Sequence, residues 1–363
     1  MFLYNRISKE DLKKRLMDET FKRKTISLYR YFYLDDPRQF RDEIYKAWDE
    51  LNCFGRIYVA REGINAQMSV PEQNWELYLS SLNNWEIFRD IPIKTAIEDD
   101  GKSFYKLTIK VRPKLVADGL MDEEYDVTNV GKHLDAFDFH RLVDEGKAIV
   151  VDMRNHYESE VGHFKGALCP DADTFREEIR LVEKELETKK DHKILLYCTG
   201  GIRCEKASAY LREKGFSDVN QLHGGIIEYA QQIKKAGLKS NFIGKNFVFD
   251  ERLGERISED VIARCHQCGA PADTHTNCNN DDCHLLFIQC ERCSIEYEGC
   301  CSEACVTIKN SSEEVRLVYR KKMHEQYSGS KIFRSRLRPD LQKIRKTEHE
   351  PLAHERSLNE NAN

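Results

Sequence analysis

Apolar and polar residues alternate along the first third of the chain with the two-residue period typical of half-buried strands. Strands are predicted at 25–34, 56–60, 64–70, 91–97 and 104–111. Helices are predicted after Pro37 and Pro71, since proline favours the first helical position. The order β-α-β-β-α-β, with one additional strand, predicts a ferredoxin-like domain. A polar helix over 9–17, with Ser8 as its N-cap, precedes this domain.

Beyond residue 129 the predicted strands become short continuous apolar runs, which are typical of strands buried on both faces. These runs lie at 148–152, 193–197 and 219–222. Helical patterns alternate with them at 134–144, 173–187, 203–214 and 226–236. The alternation predicts an α/β domain with a doubly wound parallel sheet covered by helices on both faces.

Changes in pattern and composition give the predicted domain organisation. It comprises a helical extension (1–24), the ferredoxin-like domain (25–112), a linker (113–128), the doubly wound domain (129–237), a second linker (238–258), a cysteine-rich module (259–306) and a basic tail (307–363). The predicted fold class is therefore multidomain, combining an α+β domain, an α/β domain and a small module that depends on metal.

The composition narrows the classes of protein that fit. Hydrophobic residues make up 40% of the 363 residues and charged residues 33%, as in globular proteins. Apolar runs long enough to span a membrane and the apolar core of a signal peptide are absent, so we expect a cytoplasmic protein without a membrane partner. Nine of the thirteen cysteines fall between Cys265 and Cys305, which indicates metal binding rather than disulfides.

One loop carries the strongest candidate for catalysis. It follows the predicted strand 193–197, precedes the predicted helix 203–214, and begins with Cys198. The remaining loop residues are Thr199, Gly200, Gly201, Ile202 and Arg203. The glycines allow backbone N–H groups to surround the sulfur, and the helix N-terminus and the Arg203 charge favour a thiolate. We therefore predict a lowered pKa and a nucleophilic Cys198, with a purely structural cysteine as the alternative.

The cysteines of the third region have the spacing of zinc ligands. Two C-x-x-C pairs stand 21 residues apart, as in zinc ribbons. The predicted ligands of one or two structural zinc ions are Cys265, Cys268, Cys278, Cys283, Cys290, Cys293, Cys301 and Cys305. The sequence leaves open which pairs share a metal, with His275 and His284 as alternative ligands. Cys300 is the expected spare, since adjacent thiolates seldom both reach one metal.

The C-terminal tail has a charge opposite to that of the rest of the chain. Although the net charge is −5, eleven lysines and arginines between Arg316 and Lys346 face two acidic residues. With interspersed aromatic residues, this pattern suits contacts to phosphates and bases, although a solvated surface is the common alternative. Arg334, Arg336 and Arg338 are the residues of this tail that we expect to bind a nucleic acid.

Several motifs together resemble known families. The D-x-R motif at 152–154, the E-x-x-x-G-H-x-x-G-A motif at 158–167 and the C-x-G-G-x-R motif at 198–203 resemble the signatures of the rhodanese fold, in which Cys198 occupies the position of the persulfide cysteine. With V-A-R-E-G-I-N at 59–65 and the cysteine cluster, the chain resembles the bacterial oxygen-dependent tRNA uridine hydroxylases. The likeness spans roughly residues 25–338.

This resemblance implies that the protein hydroxylates C5 of the wobble uridine of tRNA, with molecular oxygen as co-substrate and Cys198 and Arg203 as catalytic residues. Two alternative functions belong to other classes of protein. One is a sulfurtransferase that passes persulfide sulfur from Cys198 to tRNA or to a carrier protein. The other is a tRNA-binding protein without catalytic activity, against which the intact loop from Cys198 to Arg203 argues.

Overall fold

The computed structural model describes residues 7–121, 124–283 and 285–327, with the backbone alone for 322–327. These residues form two compact units. The first contains the chain up to Asn155 together with His163–Ser258, and the second contains His156–Gly162 together with the chain from Glu259 onward. The helices within these ranges are all too short or too polar to cross a membrane.

The first unit begins with helix α1 (Lys9–Met17), which Ser8 caps by accepting a hydrogen bond from the backbone N–H of Asp11 at 3.1 Å. The next elements are β1 (Arg23–Tyr31), α2 (Pro37–Glu50), β2 (Phe54–Ala60), β3 (Gly63–Pro71), α3 (Trp75–Leu82), β4 (Lys94–Thr95) and β5 (Leu107–Val111). They form a sheet of order β4-β1-β3-β2-β5 that is antiparallel except between β2 and β5. This confirms the ferredoxin-like domain, with β5 as its additional strand.

Several predicted elements differ in extent, including β1, which ends at Tyr31, and β5, which begins at Leu107. Two further differences have a clear local form. The predicted strand 91–97 shortens to β4, because Pro92 within it has no N–H to donate to a neighbouring strand. The helix after Pro71 starts with a 3-10 turn, Glu72–Asn74, before α3 begins. Neither difference changes the topology of the sheet.

The two faces of this sheet have different environments. One face packs on α2, where Ile57 and Val59 of β2 share a core with Ile44 and Trp48. On the opposite face, two neighbouring rows of paired residues are called here the polar sheet face. Its rows are Tyr29, Asn65, Tyr58 and Lys110, and Lys94, Ser27, Gln67, Arg56 and Thr108.

The doubly wound domain follows in the same unit, and its prediction is also confirmed. Its elements are β6 (Lys132–Leu134), α4 (Ala136–Glu145), β7 (Ile149–Asp152), β8 (Gly162–Phe164), α6 (Phe175–Leu186), β9 (Lys193–Tyr197), α7 (Ile202–Glu213), β10 (Asp218–Leu222), α8 (Gly225–Lys235), β11 (Phe242–Asn246) and β12 (Glu255–Arg256). The short helix α5 (His156–Ser159), between β7 and β8 in the chain, belongs to the second unit, as does Gly162 at the start of β8. The main sheet has the parallel order β6-β10-β9-β7, and β8, β11 and β12 form a second small sheet.

Helices cover both faces of the main sheet because alternate residues of its strands point in opposite directions. In β9, Ile194 and Leu196 pack in the core formed with α6 and α7, whereas Leu195 and Tyr197 pack in the core formed with α4 and α8. This arrangement places the end of β9, and therefore Cys198, at the carboxyl edge of a parallel sheet. Open α/β sheets bind their ligands at this edge.

The second unit is small and rich in cysteine. It contains β13 (His275–Asn277), β14 (Leu286–Ile288), α9 (Glu291–Glu296), α10 (Glu303–Lys309) and α11 (Glu313–Tyr327). Its two apolar clusters each include several cysteines. The thiols thus occupy the positions that large hydrophobic side chains fill in a larger domain.

Candidate active site and metal centres

Cys198 lies in a closed cup of backbone N–H groups. Its side chain is fully buried, and the N–H of Gly201 donates a hydrogen bond to its sulfur at 3.1 Å. The N–H groups of Arg203 and Cys204 donate to the same sulfur. Gly201 has φ +102°, and a Cβ there would lie 2.7 Å from the hydroxyl of Tyr29, so the turn requires glycine.

The cup stabilises the thiolate form of Cys198. Burial alone raises the pKa of this thiol. A hydrogen bond from the thiol of Cys204, the charge of Arg203 and the backbone N–H groups of Cys204 and Arg203 together lower the pKa to about 6. A cysteine with this pKa is mostly ionised at neutral pH and reacts as a nucleophile. The predicted direction of the pKa shift thus agrees with the geometry, while the catalytic role stays a proposal.

Cys204 is part of this arrangement through a thiol hydrogen bond to Cys198, which the sequence did not indicate. It is fully buried, and burial followed by its hydrogen bond to Cys198 raises its pKa well above the usual value. It therefore remains a thiol and donates to the neighbouring thiolate. The sequence predicts packing for this cysteine on the first turn of the helix, with a disulfide to Cys198 as the alternative. In the structure it serves both packing and charge stabilisation.

Arg203 lies at the rim of the cup and is 8% exposed. Its Nη2 donates a hydrogen bond to the hydroxyl of Thr199 at 3.3 Å. Its guanidinium stands 5.9 Å from the ring centroid of Phe249, an aromatic side chain from the predicted second linker. Phe249 was not among the predicted site residues, because only an isolated apolar run at 247–249 marks it in the sequence.

The loop after β10 fixes the other side of the cup. The N–H groups of Ile226 and Ile227 donate to the carbonyls of Cys198 and Thr199 at 3.0 and 3.2 Å. Gly225 has φ +68°, and a Cβ there would lie 2.6 Å from both carbonyl oxygens. The H-G-G motif beginning at His223 therefore contributes through its glycine backbone.

The ferredoxin-like domain supplies further side chains to the site. The hydroxyl of Tyr29 donates to Glu205 at 3.1 Å, and that of Tyr31 donates to the carbonyl of Ile202 at 3.3 Å. The ammonium of Lys94 lies 4.6 Å from the ring centroid of Tyr29. Burial lowers the pKa of Lys94, while the charges of Glu228 and Cys198 oppose this effect. The site therefore combines residues of both domains.

A buried ion triad joins the same two domains. Lys206 on α7 is fully buried, and its ammonium lies 2.9 Å from Glu62 and 2.7 Å from Asp118. Glu62 lies in the turn between β2 and β3, within the V-A-R-E-G-I-N motif. Asp118 belongs to the predicted linker 113–128, which therefore packs against the catalytic helix instead of lying in solvent.

The eight predicted cysteine ligands come together as two groups of four. Cys265 and Cys268 join Cys290 and Cys293, and the other group is Cys278, Cys283, Cys301 and Cys305. Within each group the sulfurs lie within 4.8 Å of one another. Individual separations are 3.6 Å for Cys268–Cys290 and 3.7 Å for Cys283–Cys301. Zinc–sulfur bonds of about 2.3 Å in a tetrahedron require about 3.8 Å, so the donor sets fit zinc.

Neighbouring polar groups orient the sulfurs of the second group. The N–H of Cys301 donates to the sulfur of Cys278 at 3.4 Å, and the side-chain amide of Asn280 donates to the sulfur of Cys305 at 3.4 Å. Such contacts are typical around bound metals. Cys300 belongs to neither group, in keeping with its expected role as the spare.

Arg334, Arg336 and Arg338, predicted to bind tRNA, lie outside the described residues, as does His284.

Comparisons with known proteins cover nearly the whole chain. Residues 23–115 match the UPF0176 acylphosphatase-like domain, residues 135–232 the rhodanese-like domain, and residues 243–306 the family described as Rhodanase C-terminal. A tRNA uridine(34) hydroxylase of Leptospira interrogans is 52% identical over 343 residues, covering 94% of this chain and 93% of that protein. Another, from Cronobacter sakazakii, is 52% identical over 332 residues, covering 91% of this chain and 94% of that protein. A third, from Escherichia coli, is 53% identical over 304 residues, covering 84% of this chain and 87% of that protein.

Proposed function

Because the chain belongs to the family of tRNA uridine(34) hydroxylases, we propose that it hydroxylates C5 of the wobble uridine of tRNA, with molecular oxygen as co-substrate. The observation that supports a cysteine-dependent reaction is the thiolate of Cys198, whose pKa is lowered to about 6 inside the cup. Since the substrate is tRNA and the chemistry needs reduced thiols, we place the enzyme in the cytoplasm.

The proposed reaction starts with attack of the Cys198 sulfur on C6 of the uracil ring. The new S–C6 bond moves the electron pair of the C5–C6 double bond onto C5 and the C4 carbonyl. C5 then bonds to molecular oxygen to give a C5 hydroperoxide. Two molecules of a low-molecular-weight thiol are oxidised to a disulfide, and their two electrons and two protons cleave the O–O bond, leaving the C5 hydroxyl and releasing the second oxygen atom as water. Loss of the C5 proton and of Cys198 restores the ring and the thiolate.

The side chains around the cup have distinct parts in this proposal. Arg203 and Lys94 provide positive charge beside the thiolate and the enolate that follows it. Cys204 donates to the sulfur both before attack and after departure from C6. The four thiolates of each cysteine group would fill all four positions around a zinc ion, so the role of zinc in this proposal is structural.

The test is nucleoside mass spectrometry of tRNA from cells that lack the gene and carry one of three versions. We expect 5-hydroxyuridine with the wild type, none with Cys198→Ser, and wild-type amounts with the control Cys53→Ser. Cys53 is also buried, but burial raises its pKa to about 12, so it stays an inert thiol. Full product from Cys198→Ser contradicts the mechanism. Isotopically labelled oxygen gas should label the new hydroxyl group.

The rhodanese-like domain over residues 135–232 favours one second candidate, the transfer of persulfide sulfur from Cys198. Incubation of the protein with thiosulfate or cysteine persulfide, followed by analysis of sulfur in tRNA, distinguishes it. Thiolated tRNA without 5-hydroxyuridine supports the transferase, and the reverse supports the hydroxylase.

A further inference from the structure

The polar sheet face extends from the Cys198 site across the ferredoxin-like domain. Tyr29 at one end of a row donates a hydrogen bond to Glu205 in the first turns of α7, beside the catalytic loop. Tyr29 pairs with Asn65, which pairs in turn with Tyr58. Two strand spacings separate Tyr29 from Tyr58, or about 10 Å. The face therefore begins beside the catalytic loop and extends away from it.

The residues of this face suit a nucleic acid strand. The two rows include three cations, Lys94, Arg56 and Lys110, and no carboxylate. Arg56 and Lys110 are exposed, and Tyr58 is half-buried beneath the guanidinium of Arg112 at 5.6 Å. Alternating cations and aromatic rings on a sheet are the means by which single-stranded RNA is bound through phosphates and stacked bases.

Phe249 connects this face to the catalytic loop. Its backbone carbonyl accepts a hydrogen bond from Arg56 at 3.1 Å, while its ring lies beside Arg203. The ring is 38% exposed although it is a large hydrophobic group. Phe249 thus contacts Arg56 of the polar sheet face on one side and Arg203 of the catalytic loop on the other. Part of its aromatic ring remains accessible to a ligand.

We propose that the polar sheet face and Phe249 bind the single-stranded anticodon loop of the substrate tRNA, with bases stacked on Phe249 and Tyr58 and phosphates paired with Arg56 and Lys110. This inference rests on the proposed function in one respect, that the substrate is tRNA. It places recognition of the nucleotides around the target uridine on the ferredoxin-like domain, beside the thiolate that reacts with it.

The experiment measures binding of a synthetic anticodon stem-loop RNA, with uridine at the wobble position, to the full-length protein. Phe249→Ala should weaken binding about 10-fold, the usual contribution of one stacked base. Phe249→Trp should keep wild-type affinity, and its fluorescence should be quenched by the RNA. Phe249→Leu keeps the apolar volume without the aromatic face and should resemble Phe249→Ala. Wild-type affinity of Phe249→Leu overturns the stacking role.

A second arm tests the phosphate contacts. Arg56→Gln should reduce the slope of log affinity against log salt by about one. The matched control is Arg38→Gln, which removes an exposed cation from α2 on the opposite face of the sheet and should leave the slope unchanged. Equal slopes for both variants overturn the proposed path. Thermal melting of every variant checks that the fold is retained.

These outcomes are separate from those of the proposed function. If the wild type forms 5-hydroxyuridine but Phe249→Ala, Tyr58→Ala and Arg56→Gln all bind RNA normally, the proposed RNA surface is wrong and the hydroxylase activity stands. If the wild type forms no 5-hydroxyuridine but these variants lose affinity, the surface is supported and the proposed reaction fails.

Discussion

Cys204 donates its thiol hydrogen to the sulfur of Cys198, so one buried cysteine stabilises the negative charge of the other. The two residues share the same helix N-terminus, but their pKa values move in opposite directions. Cys198 becomes an anion near neutral pH, whereas Cys204 is kept protonated by burial and by the anion beside it. Reactivity at one thiol therefore depends on the chemical state of its neighbour.

Removal of this donor should raise the pKa of Cys198. In Cys204→Ala the thiolate loses one hydrogen bond, and loss of a bond to the charged form favours the neutral form, by about one to two pH units. The pH dependence of Cys198 alkylation, followed by mass spectrometry, reports this shift. The wild-type rate should rise as the pH increases through about 6, and the rate of Cys204→Ala should rise only at higher pH.

Cys204→Ser is the conservative control, because its hydroxyl still donates a hydrogen bond. It should keep a pKa of Cys198 near the wild-type value and substantial 5-hydroxyuridine formation. Loss of product with an unchanged alkylation profile contradicts this expectation, and it indicates that Cys204 forms a disulfide with Cys198 during the reaction.

The protein should contain two zinc ions per chain. Elemental analysis of Cys268→Ser should show about one, because three thiolates remain in that group, whereas Cys300→Ser should keep both. Zinc-free wild-type protein that retains its fold contradicts a structural role, since a polar cysteine-rich unit depends on metal for stability.

Lys206→Met should destabilise the protein strongly. The substitution removes the nearer of two ammonium groups from the buried Asp118 carboxylate, at 2.7 Å, and leaves only Lys114 at 3.2 Å. Breaking a buried ion pair completely costs about 3–5 kcal/mol, so the loss should approach the lower end of this range. Urea unfolding measures the change, with Lys184→Met as the control because Lys184 is exposed on α6. Lys206→Met combined with Asp118→Asn should recover part of the loss. Equal stability of Lys206→Met and the control shows that the triad contributes little.

The basic tail should contribute to tRNA affinity. Replacement of Arg334, Arg336 and Arg338 with alanine should weaken binding and reduce its salt dependence by up to about two charges. Arg320→Ala is the control, because Arg320 already pairs with Asp282 at 2.7 Å. If the triple variant keeps the wild-type salt slope, phosphate contacts are made elsewhere on the protein.

Local signals in the sequence predict the catalytic loop well. Strand β9 has its predicted bounds, and α7 begins one residue before the predicted helix, because an apolar run, two glycines and a helical period are all present within one short segment. The order of strands and helices around it likewise predicts the parallel sheet. These features arise from neighbouring residues, so they can be read without a structure.

Contacts between distant residues had no comparable signal. Tyr29 and Glu205 are 176 positions apart, and the alternation of β1 shows only that Tyr29 and Tyr31 share a face. The pairing of the zinc ligands was likewise unreadable. C-x-x-C spacing is the same whether a pair joins the next cysteines along the chain or, as here, Cys265 and Cys268 join Cys290 and Cys293. The contact between Tyr29 and Glu205 and the grouping of the zinc ligands both depend on how distant segments pack together.

Close packing at Gly225 holds the ends of strands β9 and β10 together as one rigid segment. The atoms that exclude a side chain there are backbone carbonyls of Cys198 and Thr199, which cannot rotate out of the way as a side chain can. Helix α8 cannot move toward β9 unless the loop around the reactive sulfur moves with it. A substitution at Gly225 should therefore reduce the reactivity of the Cys198 sulfur, although Gly225 has no side chain that could take part in the reaction.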